Sequence, residues 1–308
     1  MITVPSEYLA LASALADEAG EILMSHWRSG IPMDLKPDES PVTRADREAE
    51  TAIRRAIEAT YPEHGIYGEE FGTVRGDAEW LWLIDPLDGT KTFLHGRTCF
   101  STLIGLAHRG RYVMGVIDFA ALGDRWIGAD GHGTIHNGKP VTTRSCADLG
   151  DAVSAATGPE KADIDDNPLL APIRHTTRWQ LFGLEAMASG LIASGRLDLA
   201  VDGPLDPTDI AALEPVVRNA GGLLTDLAGN SVDSGYAGRI VAGGDHARHA
   251  EVHRNGQASG AFAAQPGANL VRGETHLRAD VGGAAGVENH LLLDMQRVVE
   301  LLRRDERM

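Results

Sequence analysis

The residues best suited to chemistry are two aspartates, Asp85 and Asp88, in the segment Ile84-Asp85-Pro86-Leu87-Asp88-Gly89-Thr90. The apolar residues 80–84 precede them and predict a buried strand, so both carboxylates leave the same strand end. Two such charges repel each other unless a cation lies between them or they share a proton. Their oxygens suit Mg²⁺, which usually takes one or two carboxylates together with a substrate phosphate. Asp-Pro-x-Asp-Gly is also ordinary turn chemistry, so this segment alone leaves both interpretations open.

Further carboxylates lie beside other predicted elements. Glu69 and Glu70 follow a short predicted strand, and Asp46 and Asp209 lie near the starts of predicted helices. Each has an ordinary alternative, because adjacent glutamates can form a solvated surface and an aspartate at a helix start is favoured by the helix dipole. If a helix also begins at Gly89, the N–H groups of that turn would form an anion site beside the cations.

Alternating helix and strand patterns must position these residues, which indicates an α/β protein. Ser6 is the predicted N-cap of the first helix. The predicted helices cover residues 8–27, 43–60, 181–194 and 208–220, and the predicted strands cover residues 66–67, 80–84, 100–107, 112–119, 124–129 and 197–201.

The composition excludes several classes of protein. The chain has 308 residues, with 28 Lys and Arg against 44 Asp and Glu, a formal net charge of −16. This acidity argues against nucleic-acid binding, because affinity for a phosphate backbone is mostly a Lys and Arg effect. No apolar run of about 18 residues occurs and no signal-peptide pattern opens the chain, so we expect no membrane span. With only Cys99 and Cys146, and no C-x-x-C pair, we expect reduced thiols in the cytoplasm.

The end of the chain differs in composition from the rest. From about residue 256 to residue 286 it is rich in Gly, Ala and polar residues, which predicts a tether, and residues 287–304 return to a helical apolar pattern. Before that boundary, His246, His249 and His253 have a spacing compatible with a metal site, but we expect a surface helix there. The predicted organisation is one domain over residues 1–256, followed by a tether and helix of unknown role over residues 257–308.

Taken together, the motifs resemble those of the inositol monophosphatase family over about residues 8–252. The segments that carry the resemblance are Val42-Thr43-Arg44-Ala45-Asp46, Gly68-Glu69-Glu70, Asp85-Pro86-Leu87-Asp88-Gly89-Thr90 and Asp209-Ile210-Ala211-Ala212. The resemblance implies an α/β (α+β) fold, a layered α-β-α-β-α sandwich of the kind shared with fructose-1,6-bisphosphatase, and a homodimer. Leu35-Lys36-Pro37-Asp38, Gly68-Glu69-Glu70-Phe71-Gly72 and Asp88-Gly89-Thr90-Lys91 look most like the histidinol-phosphate phosphatase branch.

The same resemblance implies a site with two or three Mg²⁺ ions. Glu69, Asp85 and the backbone carbonyl of Leu87 would hold the first ion. Asp85, Asp88 and Asp209 would hold the second, and a weaker third ion would lie by Glu69, which therefore also belongs to the catalytic set. Paired ions can clamp both the attacking and the leaving oxygen of an in-line displacement.

The remaining implied roles concern the attacking water and the substrate. Thr90, with Asp46 behind it, would orient the water, and the amides of Gly89 and Thr90 would hold the phosphate. Glu185 and Asp202 would bind the alcohol portion by accepting bonds from an ammonium or from hydroxyls. An exposed helix position for Glu185 and a strand-end turn for Asp202 are the alternatives.

Two departures from the family pattern affect the substrate more than the metal. Thr208 stands where the family commonly has Trp, and Thr92 where Asn is frequent. We therefore expect a Mg²⁺-dependent phosphomonoesterase for a small molecule, histidinol phosphate first. The rivals are an inositol monophosphate, sugar phosphate or nucleoside monophosphate phosphatase of a specialised biosynthetic pathway. A non-catalytic protein that binds a phosphate ligand is the alternative from another class, against which the full set of carboxylates counts.

Overall fold

In the described residues, β-sheets and helices alternate as layers. The computed structural model describes residues 2–36, 40–156, 158, 170–258 and 268–269. The helices are α1 (Ser6–His26), α2 (Arg44–Thr60), α3 (Thr90–Leu94), α4 (Leu170–Thr176), α5 (Met187–Ala193), α6 (Pro207–Asn219) and α7 (His246–Ala258). The strands are β1 (Met33–Leu35), β2 (Pro41–Thr43), β3 (Gly65–Gly68), β4 (Gly72–Val74), β5 (Trp80–Asp88), β6 (Ser101–His108), β7 (Arg111–Phe119), β8 (Asp124–Ala129), β9 (Gly133–His136), β10 (Lys139–Val141), β11 (Val153–Ala156), β12 (Trp179–Phe182), β13 (Leu199–Leu205), β14 (Leu223–Asp226), β15 (Tyr236–Gly243) and β16 (Ala268–Asn269).

The first large sheet brings two predicted strand ends to one edge. Its strand order is β10-β9-β8-β7-β6-β5-β3-β4. The pair β3 and β5 is parallel, with Gly68 opposite Ile84, whereas β5, β6, β7 and β8 are antiparallel neighbours. Parallel strands end at the same side of a sheet, so Glu69 and Asp85, which follow that register pair, leave it together.

Helices cover this sheet on both faces and separate it from the second sheet. On one face, α1 and α2 bury an apolar stripe against the strands, with Leu15, Leu23, Ile53 and Ile57 in the core. On the other face, α6 packs against β5, β6, β7 and β8 and also contacts β14 and β15 of the second sheet. That second sheet has the order β12-β11-β13-β15-β14, and α7 packs on β15. The layered α-β-α-β-α prediction is confirmed.

Glycines under α6 explain how closely this helix approaches the first sheet. A Cβ at Gly105 would lie 2.3 Å from the Ala211 Cβ, and a Cβ at Gly115 would lie 2.1 Å from the Ala212 carbonyl oxygen. Small residues on both sides therefore let α6, and Asp209 in its first turn, approach the end of β5.

Two local predictions were wrong. Pro5 occupies the N-cap of α1, and Ser6 is the first helical residue. The apolar pattern over residues 181–194 predicted one helix, but β12 takes its start and α5 begins only at Met187. Gly183 (φ 70°) and Glu185 (φ 49°) have a left-handed backbone between these elements, which ends any continuous helix.

The helix α7 also differs from prediction. His249 and His253 are buried, with 3% and 8% of their surface exposed, so the predicted surface position is wrong for these two residues. The helix continues through Gly256 to Ala258, past the predicted start of the tether. The predicted helix at residues 287–304 lies outside the described residues. No helix of the described ranges has the length and apolarity needed to cross a membrane.

Candidate active site

The paired strand ends of β3 and β5 hold Glu69 and Asp85. The Glu69 amide donates to the Ile84 carbonyl at 3.1 Å, which continues the parallel pairing past the end of β3. Asp85 is buried, and its Oδ1 accepts a hydrogen bond from the Leu87 amide at 2.9 Å. This local contact is typical of a turn in which an aspartate accepts from the amide two residues later.

Asp88 and Gly89 lie in the turn at the end of β5, which Asp85 begins. The pairing of β5 with β6 shifts register between Asp85 and Asp88, and Asp88 Oδ2 accepts a hydrogen bond from Ser101 Oγ on β6 at 2.9 Å. Gly89 is the N-cap of α3 at φ 81°, where a side chain is strained, and a Cβ there would lie 3.1 Å from the Cys99 carbonyl oxygen. The glycine is thus required by both its backbone angle and its neighbour.

The start of α6 supplies Asp209. Asp206 is the N-cap, Pro207 occupies the first helical position, and Asp209 Oδ2 accepts a hydrogen bond from the Asp206 amide at 2.9 Å in a capping box. The predicted capping role is therefore present. Asp209 is also close enough to Asp88 and Asp85 to affect their charge, so capping and ligation are compatible.

Burial, followed by repulsion from neighbouring acids, disfavours the charged forms of two of these carboxylates, Asp85 and Asp209. Burial, and then the charges of Glu69, Asp209 and Asp88, raise the pKa of Asp85 well above its usual value. Burial, and then the charges of Asp88 and Glu69, raise the pKa of Asp209. An all-oxygen set of like charges fits a hard divalent cation, which would remove the repulsion. Within the described ranges, no group of three or more His, Cys, Asp or Glu side chains already has a metal-holding geometry.

Lys36 forms ion pairs with both glutamates that follow β3. Its Nζ lies 2.7 Å from Glu69 Oε1 and 2.6 Å from Glu70 Oε1. Burial alone would lower the pKa of Lys36, but the hydrogen bonds to both glutamates raise it. Burial raises the pKa of Glu70 to about 7 despite the lysine. Lys36 thus holds Glu69 with a positive charge beside the predicted metal ligands.

Asp46 and Thr90 meet across the turn, as predicted. Asp46 is 1% exposed, and its Oδ2 accepts hydrogen bonds from the Thr43 amide at 2.8 Å and the Thr43 hydroxyl at 2.6 Å. Its Oδ1 lies 3.3 Å from Thr90 Oγ1, which also lies 3.1 Å from the Leu87 carbonyl oxygen. One hydroxyl proton serves these two acceptors, and the lone pairs of Thr90 Oγ1 can accept another donor.

The two predicted substrate residues differ in their surroundings. The Glu185 Cγ would lie 3.7 Å from a Cβ at Gly89, so this side chain lies beside the predicted phosphate-binding turn. Burial raises the pKa of Cys99 to about 11, with further contributions from Glu185 and Asp88. Asp202 lies on β13, and its Oδ1 accepts a hydrogen bond from the Gly203 amide at 2.8 Å. Its role in substrate binding stays a prediction.

Sequence reasoning missed Lys36 and Glu50 as residues that shape this site. Lys36 served only to suggest a branch of the family. Glu50 is fully buried and accepts hydrogen bonds from the amides of Glu70 and Phe71. Its available signal was a charged residue on the apolar face of α2, between Ala49 and Ile53.

Comparison with known proteins is consistent across sequence and structure. A family model described as the inositol monophosphatase family matches residues 4–259. A bifunctional phosphatase IMPL2 of Arabidopsis thaliana, described as chloroplastic, is 37% identical over 254 residues, covering 80% of this chain and 73% of the relative. A histidinol-phosphatase of Chlorobaculum parvum is 35% identical, covering 72% and 86%. A solved inositol monophosphatase from Zymomonas mobilis superposes with a TM-score of 0.75 at 38% identity, covering 82% of this chain and 98% of that one.

Proposed function

The chain belongs to the inositol monophosphatase family, a family of phosphatases, and from this premise we propose that it is a Mg²⁺-dependent histidinol-phosphate phosphatase. The observation that carries the metal dependence is the raised pKa of Asp85 and of Asp209, beside the other carboxylates where β3, β5 and α6 meet. Neighbouring carboxylates that are partly buried repel one another when they are ionised. A positive charge between them is needed to stabilise that ionised form. Bound Mg²⁺ would supply this positive charge. A phosphate monoester is the kind of substrate on which the enzymes of this family act.

The residues that would hold two or three Mg²⁺ ions are Glu69, Asp85, the carbonyl of Leu87, Asp88 and Asp209. When bound, such ions neutralise the charge that develops on the transferred phosphoryl group and acidify a water molecule. The donor set supports this assignment because every member is an oxygen, which Mg²⁺ prefers.

Thr90 and Asp46 have the arrangement needed to orient the attacking water. When the Thr90 hydroxyl donates to Asp46 Oδ1, the lone pairs on Thr90 Oγ1 can accept a hydrogen bond from water. Thr43 holds the Asp46 carboxylate through Oδ2, so Oδ1 faces Thr90 before substrate binds. The amides of Gly89 and Thr90 would hold the phosphate oxygens.

The preference for histidinol phosphate rests on Glu185. Its side chain lies beside Gly89, where a carboxylate can accept hydrogen bonds from the ammonium of an amino alcohol. Two relatives, of Chlorobaculum parvum and Streptomyces coelicolor, are named histidinol-phosphatases. Inositol monophosphate is the second candidate, favoured by the Zymomonas mobilis structure.

Phosphate release over a substrate panel tests the proposal. The panel holds histidinol phosphate, inositol 1-phosphate, a sugar phosphate and a nucleoside monophosphate, each with Mg²⁺ or with EDTA. We expect preference for histidinol phosphate and no release in EDTA. Glu185→Gln should raise KM about tenfold for histidinol phosphate and leave KM for inositol 1-phosphate unchanged, because only the former has an ammonium. Release from none of the compounds would favour a non-catalytic phosphate-binding protein.

We further propose a homodimer in the cytoplasm. The edge strand β12 exposes Trp179, Leu181 and Phe182, an apolar surface suited to a second copy. Cys99 and Cys146 are free thiols, which supports a reducing compartment. Sedimentation should give a dimer that Trp179→Asp converts to monomer, and a monomeric wild type would contradict the first of these proposals.

A further inference from the structure

A buried carboxylate on α2 binds the turn that carries Glu69. Glu50 is completely buried, and its Oε2 accepts a hydrogen bond from the Glu70 amide at 2.7 Å. Its Oε1 accepts hydrogen bonds from the Phe71 amide at 3.2 Å and from Arg54 Nε at 2.6 Å. Two successive backbone amides and a guanidinium thus enclose one carboxylate, an arrangement suited to an anion.

The other end of the same turn is held by the same helix. A second nitrogen of the Arg54 guanidinium donates to the Gly72 carbonyl. At Gly68 there is no room for a side chain, because a Cβ would lie 1.9 Å from Glu50 Oε1. In the segment Gly68-Glu69-Glu70-Phe71-Gly72, the two glycines therefore flank a turn whose backbone is hydrogen-bonded to Glu50 and Arg54 of α2.

One face of α2 consequently serves two parts of the site. Asp46, one helical turn before Glu50, contacts Thr90 through Oδ1. Glu50 contacts the amides just after Glu69. The spacing between Thr90 and the Glu69 carboxylate thus depends on a single rigid helix in addition to the β3 and β5 pairing.

We propose that Glu50 is a positioning residue that sets Glu69 for cation binding by capturing the Glu70 and Phe71 amides. A buried ion pair contributes little to stability compared with apolar residues of similar volume, so stability alone does not explain a charge here. This inference rests on the proposed function, since it assigns Glu50 a role in the same site.

The variant Glu50→Gln tests this role with little change in volume. Its side-chain amide places N–H groups where the carboxylate accepted, so one backbone amide loses its acceptor. We expect hydrogen exchange at the amide that loses its acceptor, either Glu70 or Phe71, to speed up at least tenfold. We also expect about a tenfold rise in the Mg²⁺ concentration at half-saturation, measured by calorimetry without substrate, as for other partners that orient metal ligands.

Glu214→Gln is the matched control. Glu214 is also buried and pairs with an arginine four residues later, Glu214 Oε1 to Arg218 Nε at 2.6 Å, the same distance as in the Glu50 and Arg54 pair. Its helix α6 carries Asp209, so general loosening of a ligand-bearing helix would affect Mg²⁺ binding in both variants. We expect Glu214→Gln to lower the unfolding temperature and to leave the exchange of Glu70 and Phe71 and the Mg²⁺ titration unchanged.

Gly68→Ala provides an independent route, because it keeps every charge and displaces Glu50 by the clash of its Cβ. It should reproduce both effects of Glu50→Gln, and it decides the question if Glu50→Gln does not fold. Wild-type amide exchange and Mg²⁺ half-saturation in a folded Glu50→Gln or Gly68→Ala would overturn the inference. If wild type binds Mg²⁺ but releases no phosphate from any monoester, the proposed function is wrong. The role of Glu50 is then still tested by comparing the calorimetric Mg²⁺ titrations of wild type and Glu50→Gln.

Discussion

Two buried clusters of charge in this molecule are balanced in opposite ways. Around Asp130, every acid has a base: Arg218 Nη1 lies 2.6 Å and Arg111 Nη1 lies 2.8 Å from the two Asp130 oxygens, and Arg218 also pairs with Glu214. At the end of β5, burial and the charges of acidic neighbours instead raise the pKa values of Asp85 and Asp209. The acids of the first cluster are paired with arginines of the protein, whereas under the proposed function the second would be balanced by a cation from solution.

The protein therefore uses buried charges in two ways, one for stability and one for function. Asp130 lies beside β7 and the end of α6, where paired charges join two layers. The ionised forms of Asp85 and Asp209 are disfavoured in the folded state, so under the proposed function these carboxylates oppose folding until a cation binds. The same substitution, Asp to Asn, should therefore have opposite effects on stability in the two clusters.

The largest effect is expected for Asp85→Asn. Turnover should fall by about 10³-fold, the order found when a preorganised electrostatic group is removed. In EDTA the variant should unfold at a higher temperature than wild type, because a repelled buried charge is gone. Phosphate release and thermal unfolding measure the two effects. A lower unfolding temperature in EDTA would break the comparison between the clusters.

Asp130→Asn is the counterpart in the balanced cluster. It removes the carboxylate that Arg111 and Arg218 share, while Arg218 keeps its pair with Glu214, so we expect a loss of about 3 kcal/mol in the free energy of unfolding. Turnover of the folded variant should equal that of wild type. Denaturant unfolding measures the first effect, and phosphate release at saturating Mg²⁺ measures the second. Unchanged stability would show that the ion pairs of Asp130 do not contribute to the free energy of unfolding.

Thr90→Val separates water orientation from cation binding within the site. It keeps the size of the side chain and removes the hydroxyl between Asp46 and Leu87, so kcat should fall about 100-fold. The Mg²⁺ titration should not change, and Thr90→Ser should recover most of kcat. A large shift of the Mg²⁺ titration in Thr90→Val would instead assign the hydroxyl to the cation site.

The smallest effect concerns a third buried group, His249. Burial, followed by the charge of His253, lowers the pKa of His249 to about 4, and His246 adds to this, while Asp226 faces His253. The unfolded chain, with a pKa near 6.5, binds the proton first, so stability is full above pH 6.5 and falls as the pH drops towards 4.

His249→Gln should remove that part of the pH dependence. The difference in unfolding free energy between wild type and variant should change by up to about 1.4 kcal/mol per pH unit in this window. Buried acids with raised pKa values also titrate in this pH range, and their effect on stability has the opposite sign. Because both proteins contain the same acids, this effect cancels when the two unfolding free energies are subtracted. Parallel stability profiles of the two proteins would contradict the expectation.

The sequence predicted the site residues that lie in one turn, but not the residues distant in sequence that hold the site in position. Asp85, Asp88 and Gly89 could be placed because a strand followed by Pro and Gly determines a turn by itself. Glu50 and the Glu70 amide are 20 residues apart, and no local pattern reports their contact. The apolar spacing of residues 181–194 likewise fits a helix, but the left-handed backbone at Glu185, beside Gly89, is imposed by tertiary neighbours. His249 was misplaced because burial of a polar helix face depends on Thr225, a partner 24 residues away.

A Mg²⁺ titration of the wild type, followed by phosphate release and by thermal unfolding on the same samples, tests the central claim most directly. If the carboxylates of β5 and α6 are balanced only by a bound cation, both curves should rise from their EDTA values and reach half-maximum at similar Mg²⁺ concentrations. Release of phosphate from histidinol phosphate that persists in EDTA, or an unfolding temperature that does not respond to Mg²⁺, would contradict it.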